Sequence, residues 1–339
     1  MKRVFNASLK PLNSFSVEAH ASQLIELESE DDLRKFATEC HFDSGHDLIL
    51  GGGSNILFAG DVEGTVVLNR VAGKRIVTDS NNEVLLEVCG GENWHELVLW
   101  CLDQGLSGIE NLSLIPGLTG AAPIQNIGAY GVELSDILDS VQVLDLTNSE
   151  LHEFNHESCD FAYRSSRFKS SDAAQYLITH VRLRLQRNFL PNLGYSGLSE
   201  ELQAMGVKKP TAKQVSEAVI RIRRRKLPDP QLIGNAGSFF KNPVIGSAKA
   251  SLLAKDFKGL PVYPGDRNRS KLSAAWMIES CGWKGRSLGR AAVSSRHALV
   301  LVNKDNASGS ELLALADAIR HSVLNRFGIE LLPEPRIIY

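Results

Sequence analysis

The chain has no excess charge, no paired cysteines and no uninterrupted apolar run. Lysine and arginine total 37 against 39 aspartates and glutamates, a formal charge of -2, so nothing draws the whole molecule toward nucleic acid or an anionic membrane and any anion site must be local. Five cysteines, Cys40, Cys89, Cys101, Cys159 and Cys281, lie far apart with no C-x-x-C pair. That excludes a disulfide framework, and the nine histidines lack zinc-ligand spacing, so no metal is expected. The thiols read as reduced and mostly buried, in a cytoplasmic protein. After its basic start, MKRVFNASLKPLNSF carries no apolar run of signal-peptide length, so secretion is not expected. Residues 111–132, NLSLIPGLTGAAPIQNIGAYGV, are uncharged, but their glycines and prolines would break a spanning helix, and no membrane insertion is expected. Internal repeats and low-complexity linkers are absent.

What is present is a mixed succession of strands and helices over 339 residues, enough for two or three domains at roughly 150 residues each. DDLRKFATEC reads as a helix, LILGGGSN as strand then turn, and TVVLNR and EVLLEVCG as short strands. Trp94, Leu97, Val98, Cys101 and Leu102 fall on one helical face, with Asn93 as cap and Gly105 as stop. VQVLDL and YLITHVRLRLQR follow the period of strands, and Leu177, Thr179, Val181, Leu183 and Leu185 mark the buried side of the second. Thr211 with Gln214 forms a capping box for a helix running to about Lys226, before Pro228. Further helices are predicted over residues 247–257, 271–281 and 311–327. The order is not a strict βαβ alternation, which favours an α+β fold over a doubly wound sheet.

Two glycine stretches stand out. GGGSN follows an apolar strand, but Ile56 occupies the place of the third glycine in G-x-G-x-x-G, so it is no Rossmann fingerprint. Its amides can converge on an anion, or form a plain turn. IPGLTGAAPIQNIGAYG is so dense in small residues that another surface must lie against its backbone, such as an extended, flat dinucleotide. In GNAGSFFKNP, Ser238 lies on no G-x-S-x-G turn and has no base near it in sequence, so it is not read as a nucleophile. RIRRRK, at a helix C-terminus, reads as a solvated cationic end.

GGGSN, IPGLTGAAPIQNIGAYG, FAYRSSRFK, GNAGSFFKNP and PEPR, in this order and spacing, resemble the UDP-N-acetylenolpyruvoylglucosamine reductase (MurB) family. Tyr195 in NLGYSGL and Tyr263 in GLPVYPGD make the chain similar to its longer subfamily, with a tyrosine-bearing loop over the substrate. The resemblance implies non-covalent FAD, NADPH as hydride donor, and reduction of enolpyruvyl-UDP-N-acetylglucosamine to UDP-N-acetylmuramate. It also implies an α+β fold: a two-subdomain FAD-binding module, like that of vanillyl-alcohol oxidase, plus a separate substrate-binding domain. By analogy these fall at 1–70 with 328–339, 71–218, and 219–327, in a monomer.

The family's catalytic residues fall on Ser238, Arg164 and Glu334, and its substrate contacts on Tyr195, Lys226, Asn242, Tyr263 and Arg336. Cofactor contacts fall on Gly51, Gly52, Gly53, Ser54 and Asn55, then on Ile115, Pro116, Gly117, Gly120, Ala121, Gln125, Asn126, Gly128, Ala129, Tyr130 and Gly131. A guanidinium suits a carboxylate gaining charge, and a serine hydroxyl needs no base when it acts as an acid. Lys241 could support the resulting alkoxide. Glu334 would stay protonated or act through Arg164 or Arg336. His297 departs from the family's frequent glutamine. The alternatives are a flavin oxidase of another small hydroxylated substrate on the same fold, and a non-catalytic nucleotide-sugar or nucleic-acid binder.

Overall fold

A computed structural model of the chain describes residues 1–195, 197–265 and 268–339. It divides into two compact units, one formed by Met1–Ala7, Ala21–Gly52 and Val62–Arg223, the other by Ser8–His20, Gly53–Asp61 and Arg224–Tyr339.

The first unit holds two sheets. In one, the order is Lys2–Ser8, His20–Leu27, Val62–Asn69, Leu48–Leu50. Val62–Asn69 is parallel to both of its neighbours, and its Val66, Val67 and Leu68 are fully buried, the continuous apolar run of a central parallel strand. The crossover helix α1 (Glu30–Glu39) starts where the Ser29 hydroxyl accepts from Asp32 N–H, with Glu30, Asp31 and Asp32 complementing its dipole. Leu33 and Phe36 pack α1 onto Ile25, Leu27 and Val67.

The other sheet is antiparallel throughout, in the order Leu151–Asn155, Leu138–Asp145, Tyr176–Gln186, Glu83–Cys89, Lys74–Ser80. The predicted face of Tyr176–Gln186 is the buried one, with Val181 opposite Val88 and Leu183 opposite Leu86. Helix α2 (Trp94–Asp103), capped by Asn93 as expected, buries Trp94, Leu97, Val98, Cys101 and Leu102 in that core. Each such side chain contributes at most about 1.5–3 kcal/mol. Helix α3 (Leu198–Ala204), which the pattern did not announce, packs with α4 (Ala212–Lys226) around Tyr130. The Thr211–Gln214 capping box is formed, each backbone N–H bonded to the other's side chain.

In the second unit, an antiparallel sheet has the order Gly234–Ser238, Val300–Asn303, Ala291–Val293, Ser287–Leu288. A three-stranded sheet runs Val244–Gly246, Arg269–Leu272, Val262–Pro264, and Arg336–Ile338 pairs in parallel with Ile56–Phe58. Helices α5 (Ser247–Asp256), α6 (Ala274–Ser280) and α7 (Gly309–Phe327) enclose a core of Phe15, Leu57, Phe239, Phe240, Met277 and the inner face of α7. The helix expected from residue 271 starts later, because Lys271 and Leu272 complete a strand and Ser273 is the cap, accepting from Trp276 N–H. Mostly antiparallel sheets with helices set to one side make this an α+β protein, as the element order predicted. Among the described residues no helix is long and apolar enough to cross a membrane.

Candidate active site

Ser238 ends the strand Gly234–Ser238, and the reason for the two phenylalanines after it is structural. Phe239 and Phe240 are buried, meet edge to face at 5.1 Å, and Phe15 packs on Phe239 at 6.2 Å. These rings anchor the backbone, so the half-buried Ser238 is held from its C-terminal side. On its other side the strand bulges: Asn235 pairs with Val302 but Ser238 with Val300, which inserts one extra residue and re-aims the serine. Gly237 supplies the bulge with a φ of 68°, and its N–H is held by the Asn235 side chain at 3.0 Å.

Three motifs far apart in sequence converge here. Glu334 N–H donates to Phe239 O at 2.8 Å and Lys241 N–H to Leu332 O at 3.0 Å, so PEPR runs alongside the segment after Ser238. The Asn55 side chain donates to Glu334 O at 3.3 Å, and Arg336 N–H donates to Asn55 O at 3.0 Å. Gly53 O in turn accepts from Ser14 N–H, and Ser14 O accepts from Asn235 N–H, both at 2.9 Å. Gly53, Asn55, Ser238, Glu334 and Arg336 therefore belong to one hydrogen-bonded junction in the second unit.

Elsewhere in that unit the predicted substrate contacts are more dispersed. The Asn242 side-chain oxygen accepts from Ala274 N–H at 3.0 Å, so it holds the first amide of α6 beside the Ser273 cap. Tyr263 is exposed on the three-stranded sheet, opposite Lys271. Lys226 ends α4, and its charge, added to burial, holds the His297 imidazole below the ordinary histidine range.

The first unit holds the other cluster. Arg164, at φ 54°, donates to Gly128 O at 2.6 Å and lies 3.9 Å from the Glu133 carboxylate. Gly128 permits this, since a Cβ there would stand 2.9 Å from Arg164 Nη1. Asn126 is buried and internally committed: its NH2 donates to Glu133 at 2.7 Å and its oxygen accepts from Ser135 N–H at 2.9 Å. Tyr195 packs edge to face on Tyr130 at 4.9 Å, and Gly131 O accepts from the Asn192 side chain.

Sequence reasoning missed the residue behind this cluster, Arg223. Its Nε donates to Leu114 O at 3.2 Å, and it hydrogen-bonds the Tyr130 side chain. Burial draws its guanidinium below the usual arginine range, Tyr130 opposes that, and the charge of Arg164 adds to it. Two guanidiniums close enough to feel each other form a local cationic site, the arrangement the neutral overall charge called for. In sequence Arg223 falls in the cationic run RIRRRK, yet it lies seven residues after the buried Ser216, two helical turns on and on the same face. Leu114, at φ 58°, is pinned again by His95, whose Nδ1 accepts its N–H at 3.0 Å. Next to it Ser113 bonds to Ser216 at 2.7 Å. The loop entering IPGLTG is thus fixed from both α2 and α4.

The glycines of the two stretches lie against protein backbone as well. A Cβ on Gly52 would reach 2.8 Å from Gly117 Cα, and one on Gly120 would reach 3.0 Å from Gly90 Cα. Part of the small-residue density is therefore the packing of chain on chain. One buried group beside Gly53 lacks a partner: Ser14 Oγ makes no hydrogen bond among the described residues. In the second unit the Gly53 amide with the polar pair Ser54 and Asn55 suits an anionic group, and in the first unit the cationic cluster does the same.

Comparison with known proteins agrees. A family profile described as "FAD binding domain" matches residues 21–155, and one described as "UDP-N-acetylenolpyruvoylglucosamine reductase, C-terminal domain" matches 229–338. Curated proteins named UDP-N-acetylenolpyruvoylglucosamine reductase are similar over nearly their whole length. The one from Azoarcus sp. is 47% identical, covering 97% of this chain and 96% of its own. The one from Pseudomonas aeruginosa is 45% identical over 98% of both, and the one from Burkholderia multivorans 45% over 95% and 93%. The crystal structure of the reductase from Thermus caldophilus shares the fold at a TM-score of 0.66 and 24% identity, covering 100% of this chain and 98% of that one.

Proposed function

The chain belongs to the UDP-N-acetylenolpyruvoylglucosamine reductase family, and from that premise we propose how its own residues carry the reaction. The protein is an FAD-dependent oxidoreductase that uses NADPH to reduce the enolpyruvyl ether of UDP-N-acetylglucosamine to the lactyl ether, giving the peptidoglycan precursor UDP-N-acetylmuramate. We assign the flavin subdomains to 1–70 with 328–339 and to 71–218, one sheet of the first unit in each, and the substrate domain to 219–327, in a cytoplasmic monomer.

FAD, when bound, supplies the ring that carries hydride between the nicotinamide and the substrate. Its phosphates would meet the amides of Gly51, Gly52 and Gly53 with Ser54 and Asn55, and the 115–131 stretch would border the rest of it. The substrate's methylene carbon takes the hydride, and negative charge spreads from the neighbouring carbon into the carboxylate. Arg164 holds that carboxylate: its guanidinium stays ionised, presents a planar fork, and is pre-positioned by Gly128 O and Glu133. Ser238 gives the enolate carbon its proton as a general acid, aimed by the bulge and fixed by Phe239 and Phe240. Glu334 and Lys241, whose backbones belong to the paired segments after the serine, return a proton to the alkoxide. Lys226, Tyr195, Asn242, Tyr263 and Arg336 hold the nucleotide sugar.

The observation that carries this reading is the hydrogen-bonded junction joining GGGSN, GSFFKNP and PEPR. Stopped-flow absorbance of Ser238→Ala tests it. NADPH should reduce the flavin at nearly the normal rate, while reoxidation by the enolpyruvyl substrate slows by about 10²–10⁴-fold. Equal loss in both half-reactions rejects the acid role.

A further inference from the structure

We propose that Cys89, His180 and Glu30 form a site for one zinc-class divalent cation, which clamps two strands and a helix of the first unit. No metal spacing is visible along the chain, because the site is made by sheet register. Cys89 ends the strand Glu83–Cys89, and His180 lies directly opposite it on Tyr176–Gln186, so the two side chains share a face. Glu30 opens α1. The thiol sulfur, an imidazole nitrogen and a carboxylate oxygen all lie within 4.8 Å of one another, with His180 Nε2 3.4 Å from Glu30 Oε1. Glu30 is exposed and the other two are half-buried, which leaves a path for an ion from solvent.

One sulfur, one imidazole and one carboxylate is a borderline-soft donor set suited to zinc, with a fourth position open to water. The surroundings orient it. Thr179 Oγ1 donates to Gln142 O at 3.1 Å, so its lone pair faces His180 Nδ1 at 3.3 Å. With the ring proton on Nδ1, the Nε2 lone pair is turned toward the Glu30 carboxylate. Two acceptors face each other and call for a positive species between them. An ion pair with a protonated imidazole would answer that, but it has no use for the thiol at the third corner. Burial, with Glu30, Glu92 and Glu87 nearby, pushes the Cys89 thiol up to about 11. Coordination therefore breaks the S–H bond, releases that proton to solvent and forms the sulfur–metal bond without electron transfer.

The consequence falls on the cofactor side. Gly90, next to Cys89, donates to Thr179 O at 2.6 Å, and its own carbonyl accepts from Gly120 N–H at 2.8 Å. A cation bridging Cys89 and His180 would brace the strand pair on which the second glycine stretch rests.

The test uses the untagged, FAD-loaded chain, freed of metal with a chelator and titrated with Zn²⁺ by calorimetry. We expect one ion per chain, a zinc-edge absorption spectrum with a single sulfur at about 2.3 Å, and a zinc-dependent rise in melting temperature. Cys89→Ser and His180→Gln should each weaken binding by at least about tenfold, and the surface change Glu30→Gln should weaken it while lowering metal-free melting only slightly, by the loss of one dipole-complementing charge from the first turn of α1. The proposal is overturned if the parent chain binds no zinc saturably, if the bound ion has no sulfur ligand, or if Cys89→Ser or the normally folded Glu30→Gln binds as tightly as the parent.

Discussion

Gly52 and Gly237 carry the same letter for opposite reasons. At Gly52 the backbone of Gly117 comes so close that a Cβ would stand 2.8 Å from its Cα, while φ is not positive. At Gly237 φ is 68° and a Cβ would find nothing within 4 Å. One glycine is required by contact, the other by conformation. Glycine density in a sequence thus reports two things at once: where the chain packs on itself, and where it turns to leave room. Only the second kind, beside Ser238, leaves space of the sort a substrate needs.

The largest effect should come where both reasons act together. Gly53 has φ 61°, and a Cβ there would fall 1.8 Å from Leu12 O. Gly53→Ala should cost about 2–5 kcal/mol in urea unfolding, combining overpacking with left-handed strain. Gly52→Ala, with the contact alone, should cost about 1–3 kcal/mol. If the two lose the same, the separation of causes fails.

Gly237→Ala sharpens the contrast from the other side. Strain without a clash predicts a loss of about 1–2 kcal/mol, and asparagine, which tolerates the left-handed region, should recover most of it. At Gly52 asparagine should be worse than alanine, because the larger side chain meets backbone. Recovery by asparagine at both positions in thermal melting would show that conformation governs both.

The helices were legible because their ends are written locally. Asn93 and the Thr211–Gln214 box cap their helices as read, and Gly328 ends α7 at φ 64°. The start of α6 was misplaced because Lys271 and Leu272 answer to strand partners, Val244 and Val262, that lie outside the helix's own stretch of sequence. The proposed catalytic residues Ser238, Arg164 and Glu334 were visible only through the family resemblance. Their supports were not visible at all, since the bulge that aims Ser238 depends on pairing with Val300 and the fixing of Leu114 depends on Arg223 and His95. Cys89 and His180 show the same limit: registers decide which side chains meet, and a register is not written in either strand alone.

The smallest predicted effect concerns the support of the open side. The strand opposite Ser238 is entered through a turn in which His297 Nδ1 accepts from Leu299 N–H at 3.3 Å, and Leu299 O accepts from Phe239 N–H at 2.7 Å. A protonated ring would give up that acceptor, and burial with the nearby charges of Lys226 and Lys284 already holds its proton affinity below the ordinary histidine range. The unfolded chain therefore binds the proton more readily than the folded one. Stability from this group is complete above about pH 6.5 and declines as pH falls toward the lower folded value. His297→Gln cannot take up a proton, so its melting temperature should fall less than that of the parent between pH 7 and pH 5, roughly the window in which an ordinary histidine charges. Parallel pH profiles for the two proteins would show that the turn is indifferent to the charge of this ring, and that the open side of the serine strand is braced by Phe239 and Phe240 alone.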